Sequence, residues 1–341
     1  MDPVPPPIEE EARLRRAHVR KVSLLVTSVV VLGVAGFFRW AFATNWFASA
    51  GGVVSLSFIA SVPFACGALS VTIGRCFGSD NWPLHAIFVP FGTMLLGLAI
   101  CVVAGIEAIL CVIMAAPIVF VAAVLGGLLA HFLLPRNHPK PRLQVTLAVF
   151  LPVLAAWGES AFRWPSETKD ITNTIRIHAP AAKIWPEITS VRPIDPEKLR
   201  ESWIYQIGFP RPIAAEIDRP GVGGTRTATF ERDVSFFETV TVWDEPRILS
   251  FTIHADPEFI PHTAFDKHII VGGRFYDVLD GTYRIEPVSD NESLLHLTSR
   301  HRLGTRFNSY AAWWSVRIMD EIQGTILEVI RTRAENEAKQ P

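Results

Sequence analysis

Between residues 22 and 161 the chain is almost free of charged side chains, and this feature constrains its fold more than any other. A helix needs about 20 consecutive apolar residues to cross the hydrocarbon core of a bilayer. Residues 22–42 and 47–73 each provide such a stretch, and residues 143–161 provide a weaker one that contains Pro152. This half of the chain is therefore predicted to be a bundle of transmembrane helices.

The apolar stretch 84–134 contains a single charged residue, Glu107. It is too long for one span and suits two, which would turn near Gly105–Glu107 and bring the total to five spans. In such a turn Glu107 would be a solvated interface residue, whereas deep in the membrane it would indicate a proton pathway. Because no span carries a charged pair or a polar stripe, we interpret the bundle as an anchor, with Gly33 and Gly36 allowing close helix packing.

Basic residues near the ends of the spans predict their orientation. They precede the first span between Arg13 and Lys21, lie between spans two and three at Arg75, and lie between spans four and five within 136–142. With five spans, all of these face the cytoplasm of an integral inner or plasma membrane protein, and the second half of the chain lies outside. If residues 143–161 lie along the membrane surface instead, that second half is cytoplasmic.

From about residue 166 the chain has the charge density of an ordinary soluble domain. The division predicts a basic N-terminal tail over 1–21, a transmembrane domain over 22–162 and a soluble domain over 166–337. A formal net charge of -1 gives no indication of nucleic acid as a partner. The four cysteines lie in the membrane half without metal-ligand spacing, and no metal or cofactor is predicted.

The soluble half shows alternation typical of strands, followed by one long helical pattern. ITNTIRIHA (171–179) predicts a strand, and Pro180 opens a helix that carries Ile184, Trp185 and Ile188 on one face. A second helical piece is predicted over 196–206. Further strands are predicted at 213–217, 225–231, 235–243, 248–254, 275–287 and 293–303, and a helix with one apolar stripe at 309–335. This order predicts an α+β layer in which a curved antiparallel sheet packs against the last helix.

Several motifs in this half resemble those of START-like domains, the superfamily of polyketide cyclases, lipid-transfer START domains and the birch-pollen allergen fold. In IRIHAPAAKIWPEIT (175–189), the step Ala179–Pro180 followed by Ile184–Trp185 resembles the family's first strand and helix. GVGGTRTATFE (221–231) resembles its Gly-rich turn into the central strands, and FFETVTVWDEPRILSFTI (236–253) resembles its E-x-V-T-x-W-x-x-P-x-x-L-x-F hairpin. The resemblance covers about 169–335 and implies a helix-grip fold, which hosts binding, transport and catalysis.

START-like domains usually hold an apolar ligand between the sheet and the last helix, in a pocket with few polar groups. The resemblance therefore implies ligand-lining roles for aromatic residues in this half, each of which could equally be core: Trp203, Tyr205, Phe251, Phe275 and Tyr283. Alternation places Phe236 and Glu238 on one face of their strand and Phe237 and Thr239 on the other, without showing which face is inward.

Polar ligand contacts are predicted for His296 and Arg300, which share one strand face; His254 and His301 are further candidates near the cavity. Inside a cavity, the pair His296 and Arg300 would hold a carboxylate or phosphate. On the outer face it would simply be solvated. The segment 255–274, with His262 and His268, has no zinc-ligand spacing and is predicted to be a lid over the cavity.

These observations predict a membrane-anchored START-like module that binds a lipid or another apolar small molecule. One alternative is a polyketide cyclase/dehydrase-like enzyme, which would need an inward-facing acid–base pair, although no nucleophile motif is present. Another is a structural or regulatory membrane protein with a filled core.

Overall fold

The computed structural model describes residues 8–79, 81–134, 141–162, 164–195, 199, 201–255 and 271–339. The chain forms two compact units, Met1–Arg163 and Trp164–Pro341. The lid predicted over 255–274, with His262 and His268, lies outside the described residues except at its two ends.

Long apolar helices build the first unit. They are α1 (Ile8–Ala43), α2 (Val62–Cys76), α3 (Val89–Val103), α4 (Ile109–Leu133) and α5 (Pro141–Ala161), and short π-helical turns lead into α2 and α3. Five stretches, 13–43, 57–76, 84–103, 109–133 and 142–161, are long and apolar enough to cross a membrane. Among the residues that the structure describes, the predicted number of such helices is confirmed, and the predicted turn between α3 and α4 contains Gly105 in the left-handed region (φ +64°).

Glycines allow the backbones of α2 and α4 to approach closely. A Cβ atom on Gly126 would lie 1.9 Å from the carbonyl oxygen of Phe64, and one on Gly67 would lie 1.9 Å from that of Ala123. The expectation for Gly33 and Gly36 was wrong, because a Cβ on either would meet open space. Small residues occur on several helices, and only the packed structure shows which helix faces meet.

Polar side chains tie the helix ends of the first unit together. Arg39 near the end of α1 forms an ion pair with Glu107 in the α3–α4 turn. The Glu159 carboxylate near the end of α5 accepts hydrogen bonds from the backbone N–H groups of Leu56 (3.0 Å) and Ser57 (2.8 Å). These two N–H groups lie just before α2, so the carboxylate satisfies donors that a helix N-terminus leaves without an internal partner.

The second unit is an antiparallel sheet with a long closing helix. Its strands are β1 (Glu167–Ile177), β2 (Pro212–Ile217), β3 (Thr225–Phe230), β4 (Val234–Asp244), β5 (Ile248–His254), β6 (Tyr276–Ser289) and β7 (Glu292–Leu303), in the order β1-β7-β6-β5-β4-β3-β2. The helices are α6 (Ala181–Thr189), α7 (Trp203–Gln206) and α8 (Asn308–Ala338). The sheet is a curved half-barrel, which confirms the predicted α+β architecture.

Two local predictions need adjustment. Pro180 is the N-cap of α6 in extended conformation, not its first helical residue. Of the helix predicted over 196–206, the described residues form α7 alone.

The core of the second unit lies between the concave face of the sheet, α6 and α8. Ile177, Leu249 and Leu295 from the sheet pack with Trp185 of α6 and Ile330 of α8. On β4, Glu238 and Val240 are buried whereas Phe237 is exposed, so the concave face carries the even-numbered residues there.

A shift in register after Val240 returns the odd-numbered Trp243 to the concave face. Its ring packs edge-on against Trp185, with 5.2 Å between the ring centroids.

Candidate functional site

Two oppositely charged side chains lie in the interior of the second unit. Arg226 of β3 and Glu238 of β4 are register partners and form an ion pair, with only 3% and 6% of their surfaces exposed. The Arg226 guanidinium carbon lies 5.4 Å from the centre of the Phe251 ring and 6.0 Å from that of Tyr283. We call these four residues the Arg226 cluster.

Burial dominates the electrostatics of this cluster. It raises the pKa of Glu238, and the neighbouring Arg226 guanidinium offsets part of that rise. Burial likewise raises the pKa of Tyr283, so its hydroxyl keeps its proton at neutral pH. The cluster thus presents a cation, a carboxylate and a phenol in surroundings that are otherwise apolar.

Gly281 on β6 makes room for the Phe251 ring. A Cβ atom at this position would lie 2.6 Å from a carbon of that ring. A glycine inside a strand commonly marks such a close approach. Because Gly281 has no side chain, the Phe251 ring can pack directly against β6, and this contact helps fix the ring that Arg226 contacts.

A second group, buried or partly buried, is a chain of hydrogen-bonded side chains between the sheet and α8. The ring of His301 has Nδ1 2.7 Å from Tyr276 Oη and Nε2 2.7 Å from Ser299 Oγ. Gln323 of α8 donates from Nε2 to Ser299 Oγ (2.7 Å) and accepts at Oε1 from Asn173 Nδ2 (2.9 Å). We call these five residues the His301 chain.

Burial also sets the protonation states in the His301 chain. It lowers the pKa of His301 to about 4, so the imidazole is neutral at pH 7. It raises the pKa of Tyr276 to about 12, so the phenol remains a hydrogen-bond donor.

Several buried polar atoms of the second unit have no hydrogen-bond partner among the residues that the structure describes. They include Arg226 Nε, Tyr205 Oη and Ser315 Oγ. Tyr205 and Ser315 are each only 8% exposed, and they lie beside Thr325 and Tyr276 respectively. Because buried polar groups are normally satisfied, each unpartnered atom calls for an explanation.

The structure brings some of the predicted aromatic residues together and separates others. Phe251 and Tyr283 meet in the Arg226 cluster, and Tyr205 packs against Ile322 of α8. Trp203 is 36% exposed and faces Trp314 with 6.4 Å between ring centroids. Phe275 precedes β6 and lies beneath the Arg274 guanidinium, 5.5 Å from ring centre to guanidinium carbon. Ligand contact by these residues stays a prediction.

His296 and Arg300 lie on the convex face, the second of the two alternatives that the sequence left open. His296 Nδ1 is 2.8 Å from Thr174 Oγ1. The half-exposed Arg300 donates from Nε to Asp170 at 3.0 Å. Their strand phase is opposite to that of the buried Leu295 and Leu297, so the pair does not enter the interior.

The sequence analysis did not select Arg226, Tyr276, Ser299 or Gln323 as site residues. A signal was present for Arg226, since it shares its strand phase with Ala228 and Phe230. Gln323 and Tyr276 come from other segments of the chain, and no pattern local to β7 points to them.

Neither the comparison with protein-family models nor the comparison with curated proteins gives a match. Among solved structures, a norcoclaurine synthase point mutant from Thalictrum flavum, in complex with a transition-state analogue, is 14% identical, covers 51% of this chain and 98% of its own, and has a TM-score of 0.33. The truncated norcoclaurine synthase from Thalictrum flavum is 13% identical, covers 53% and 99%, and has a TM-score of 0.33.

A protein from Nitrosospira multiformis is 14% identical, covers 50% of this chain and 100% of its own, and has a TM-score of 0.32. Because these sequence identities and TM-scores are low, the fold is assigned from the strand order and packing of this chain itself.

Proposed function

We propose that the soluble unit binds an apolar small molecule with a polar end between its sheet and α8, and that the five apolar helices anchor it in a membrane. The observation that carries the proposal is the set of unpartnered polar atoms in the interior, Arg226 Nε, Tyr205 Oη and Ser315 Oγ. A filled core would be expected to satisfy such atoms, because each unsatisfied group costs about 1–3 kcal/mol. A ligand that supplies the missing partner removes that cost.

The buried charges support binding over a purely structural core. Replacing a buried ion pair by apolar side chains is often neutral or stabilising, so stability alone does not require the pair Arg226 and Glu238. A mostly apolar interior with a few placed polar groups is typical of small-molecule sites. The apolar part of the ligand would lie against residues such as Phe251 and Ile322.

Helix-end contacts support the five-span arrangement with a cytoplasmic N-terminus. Arg39 lies on the side that this arrangement assigns outside the cytoplasm, and its pairing with Glu107 neutralises its charge. Glu159 brings the end of α5 to the start of α2, as an antiparallel fifth span requires. Because the membrane helices and the second unit belong to one chain, such tethering raises the local concentration of ligands dissolved in the membrane.

An alkaline phosphatase fusion after residue 165 tests the orientation. Activity is expected, since the enzyme is active outside the cytoplasm. An inactive fusion, with an active fusion after Arg75 as its counterpart, would overturn the five-span orientation.

Ligand binding is tested by purifying the full chain and identifying extracted small molecules by mass spectrometry. The double variant R226Q/E238Q neutralises the interior pair and keeps hydrogen-bonding groups in place. The matched control R300Q/D170N makes the same kind of change on the convex face. Lipids around the helices would co-purify with all three proteins.

The proposal expects at least one species that is present with the wild type and the control and is depleted in R226Q/E238Q. If the extracted molecules are the same for all three proteins, the interior does not hold a ligand and the filled-core alternative is favoured.

The enzyme alternative needs an inward-facing acid–base pair, and the hydrogen-bonded Tyr276 and His301 are inward-facing residues of suitable chemical type. It remains the second candidate for this reason. Turnover of a ligand identified by extraction, lost in His301→Gln with binding retained, would favour it.

A further inference from the structure

Acceptor-only groups fix the direction of the hydrogen bonds at one end of the His301 chain. Asn173 Nδ2 lies 3.3 Å from the Asp320 carboxylate, and Gln323 Nε2 lies 3.5 Å from the backbone carbonyl of Ile171. Carboxylates and carbonyls accept hydrogen bonds and do not donate them. The NH₂ group of Asn173 therefore points toward the Asp320 carboxylate, and that of Gln323 points toward the Ile171 carbonyl. Gln323 uses the second hydrogen of its NH₂ group to donate to Ser299 Oγ.

The same donor–acceptor order continues through the His301 chain as far as Tyr276. Ser299 Oγ accepts from Gln323, so its own proton is available to His301 Nε2 at 2.7 Å. A neutral imidazole that accepts at Nε2 carries its proton on Nδ1. Nδ1 then donates to Tyr276 Oη at 2.7 Å, and the phenolic proton of Tyr276 is the open end of the chain.

The surroundings of that open end are apolar and disfavour an anion. Tyr276 packs against the buried apolar cluster of Val234, Ala255 and Val271. The nearby Asp277 carboxylate contributes to the raised pKa of Tyr276, and it would repel a negatively charged ligand group in the same way. Ser315 Oγ lies beside Tyr276, is buried, and has no hydrogen-bond partner within the described part of the chain.

We propose that Tyr276, assisted by Ser315, donates a hydrogen bond to the carbonyl oxygen of a neutral apolar ketone, aldehyde or ester bound in the soluble unit. The proposal rests on the proposed ligand-binding function and names the chemical class of the ligand. Two hydroxyl donors match the two lone pairs of a carbonyl oxygen. Donation from His301 into Tyr276 Oη polarises the phenol and strengthens the bond that it donates.

The test uses benzophenone, an apolar ketone that inserts into neighbouring C–H bonds on irradiation. The full chain in lipid nanodiscs is irradiated over a range of benzophenone concentrations, and labelled peptides of β6, β7 and α8 are quantified by mass spectrometry. Diphenylmethane, which lacks the carbonyl, serves as the competitor. Peptides from the membrane helices are counted separately, because benzophenone also dissolves in lipid.

We expect saturable labelling of the soluble-unit peptides with about five- to tenfold weaker apparent affinity in Tyr276→Phe, the effect of losing one hydrogen bond. Tyr310→Phe, at the start of α8 and outside the His301 chain, should label like the wild type. Diphenylmethane should compete with benzophenone more weakly in the wild type than in Tyr276→Phe.

Equal labelling of the wild type and Tyr276→Phe would overturn this inference and leave ligand binding in place. No labelling of the soluble unit in any variant would count against both. Nitrogen-15 NMR of the unmodified protein tests the same chain without substitution. A proton on Nε2 of His301, in place of Nδ1, would reverse the chain, commit the phenolic proton to histidine and refute the proposal.

Discussion

Replacing Arg226 by methionine should destabilise the second unit more than any surface substitution, because it leaves the Glu238 carboxylate buried without its cation. Methionine keeps the length and apolar contacts of the arginine stem. Phe251 and Tyr283 would still be packed, so the change removes mainly the charge.

The magnitude follows from the burial of the pair. Removing one partner of a buried ion pair costs about 3–5 kcal/mol. Both side chains here are at least nine-tenths buried. Since a domain is typically stable by about 5–15 kcal/mol, Arg226→Met should remove a third or more of that stability.

The pH dependence of this loss has a definite sign. Without Arg226, burial alone acts on Glu238, and its folded-state pKa rises further above the unfolded value of about 4.3. A carboxyl group with a raised folded pKa is most favourable to the folded state at low pH, and its contribution is lost as pH rises through the folded pKa. The stability deficit of Arg226→Met should therefore grow as pH rises above the folded-state pKa of Glu238 in the wild type.

Hydrogen–deuterium exchange of the full chain measures this effect at β3 (Thr225–Phe230) and β4 (Val234–Asp244). Arg300→Met is the control, since solvent screens its exposed pair with Asp170 and the pair should contribute little to stability. Glu238→Leu added to Arg226→Met should restore most of the lost protection, because no unpaired charge then remains.

Three results would contradict this reasoning. They are a cost for Arg226→Met no larger than that for Arg300→Met, a deficit that does not change with pH, and a failure of Glu238→Leu to rescue. Any of them would mean that water reaches the Glu238 carboxylate.

Three further predictions concern other parts of the chain. Because burial lowers the pKa of His301 to about 4, the unfolded state takes up a proton on this imidazole at higher pH than the folded state does. The free energy of unfolding should therefore fall by up to about 3 kcal/mol as pH falls from about 6.5 to 4. Urea titrations should show a weaker dependence of this free energy on pH in His301→Gln. Gly126→Ala should lower the thermal unfolding temperature in detergent by forcing α2 and α4 apart, whereas Gly33→Ala, which meets open space, should not. Trp185→Ala, at a site only 4% exposed, should cost about 3–5 kcal/mol in chemical denaturation, and Trp313→Ala, at a half-exposed site, about 0.5 kcal/mol or less.

Sequence patterns predicted the elements of the second unit well because each element depends on local periodicity. The strand expected at 293–303 is observed as Glu292–Leu303, and the helix expected at 309–335 is observed as Asn308–Ala338. The register shift after Val240 was not predictable in the same way, since nothing in the alternation of 235–243 marks it. The close approach at Gly126 also escaped, because it depends on which faces of two separate helices meet.

Sequence alternation in β7 separates the polar side chains that enter the interior from those on the convex face. In β7, Ser299 and His301 share the phase of Leu295, Leu297 and Leu303, whereas His296 and Arg300 have the opposite phase. Phase alone therefore distinguishes the polar side chains that enter the interior from those that meet water.

Strand alternation does not predict the hydrogen-bond partner of each buried polar group. His301 meets Tyr276 from the start of β6, and Ser299 meets Gln323 from the middle of α8. These contacts depend on the register between strands and on the position of α8 over the sheet, which are set by the packing of the whole unit. Polar side chains placed in an apolar interior are costly unless something satisfies them, and here Ser315 of α8 and Arg226 of β3 retain atoms that no described side chain satisfies. That remaining deficit is the physical reason to expect a ligand in this interior.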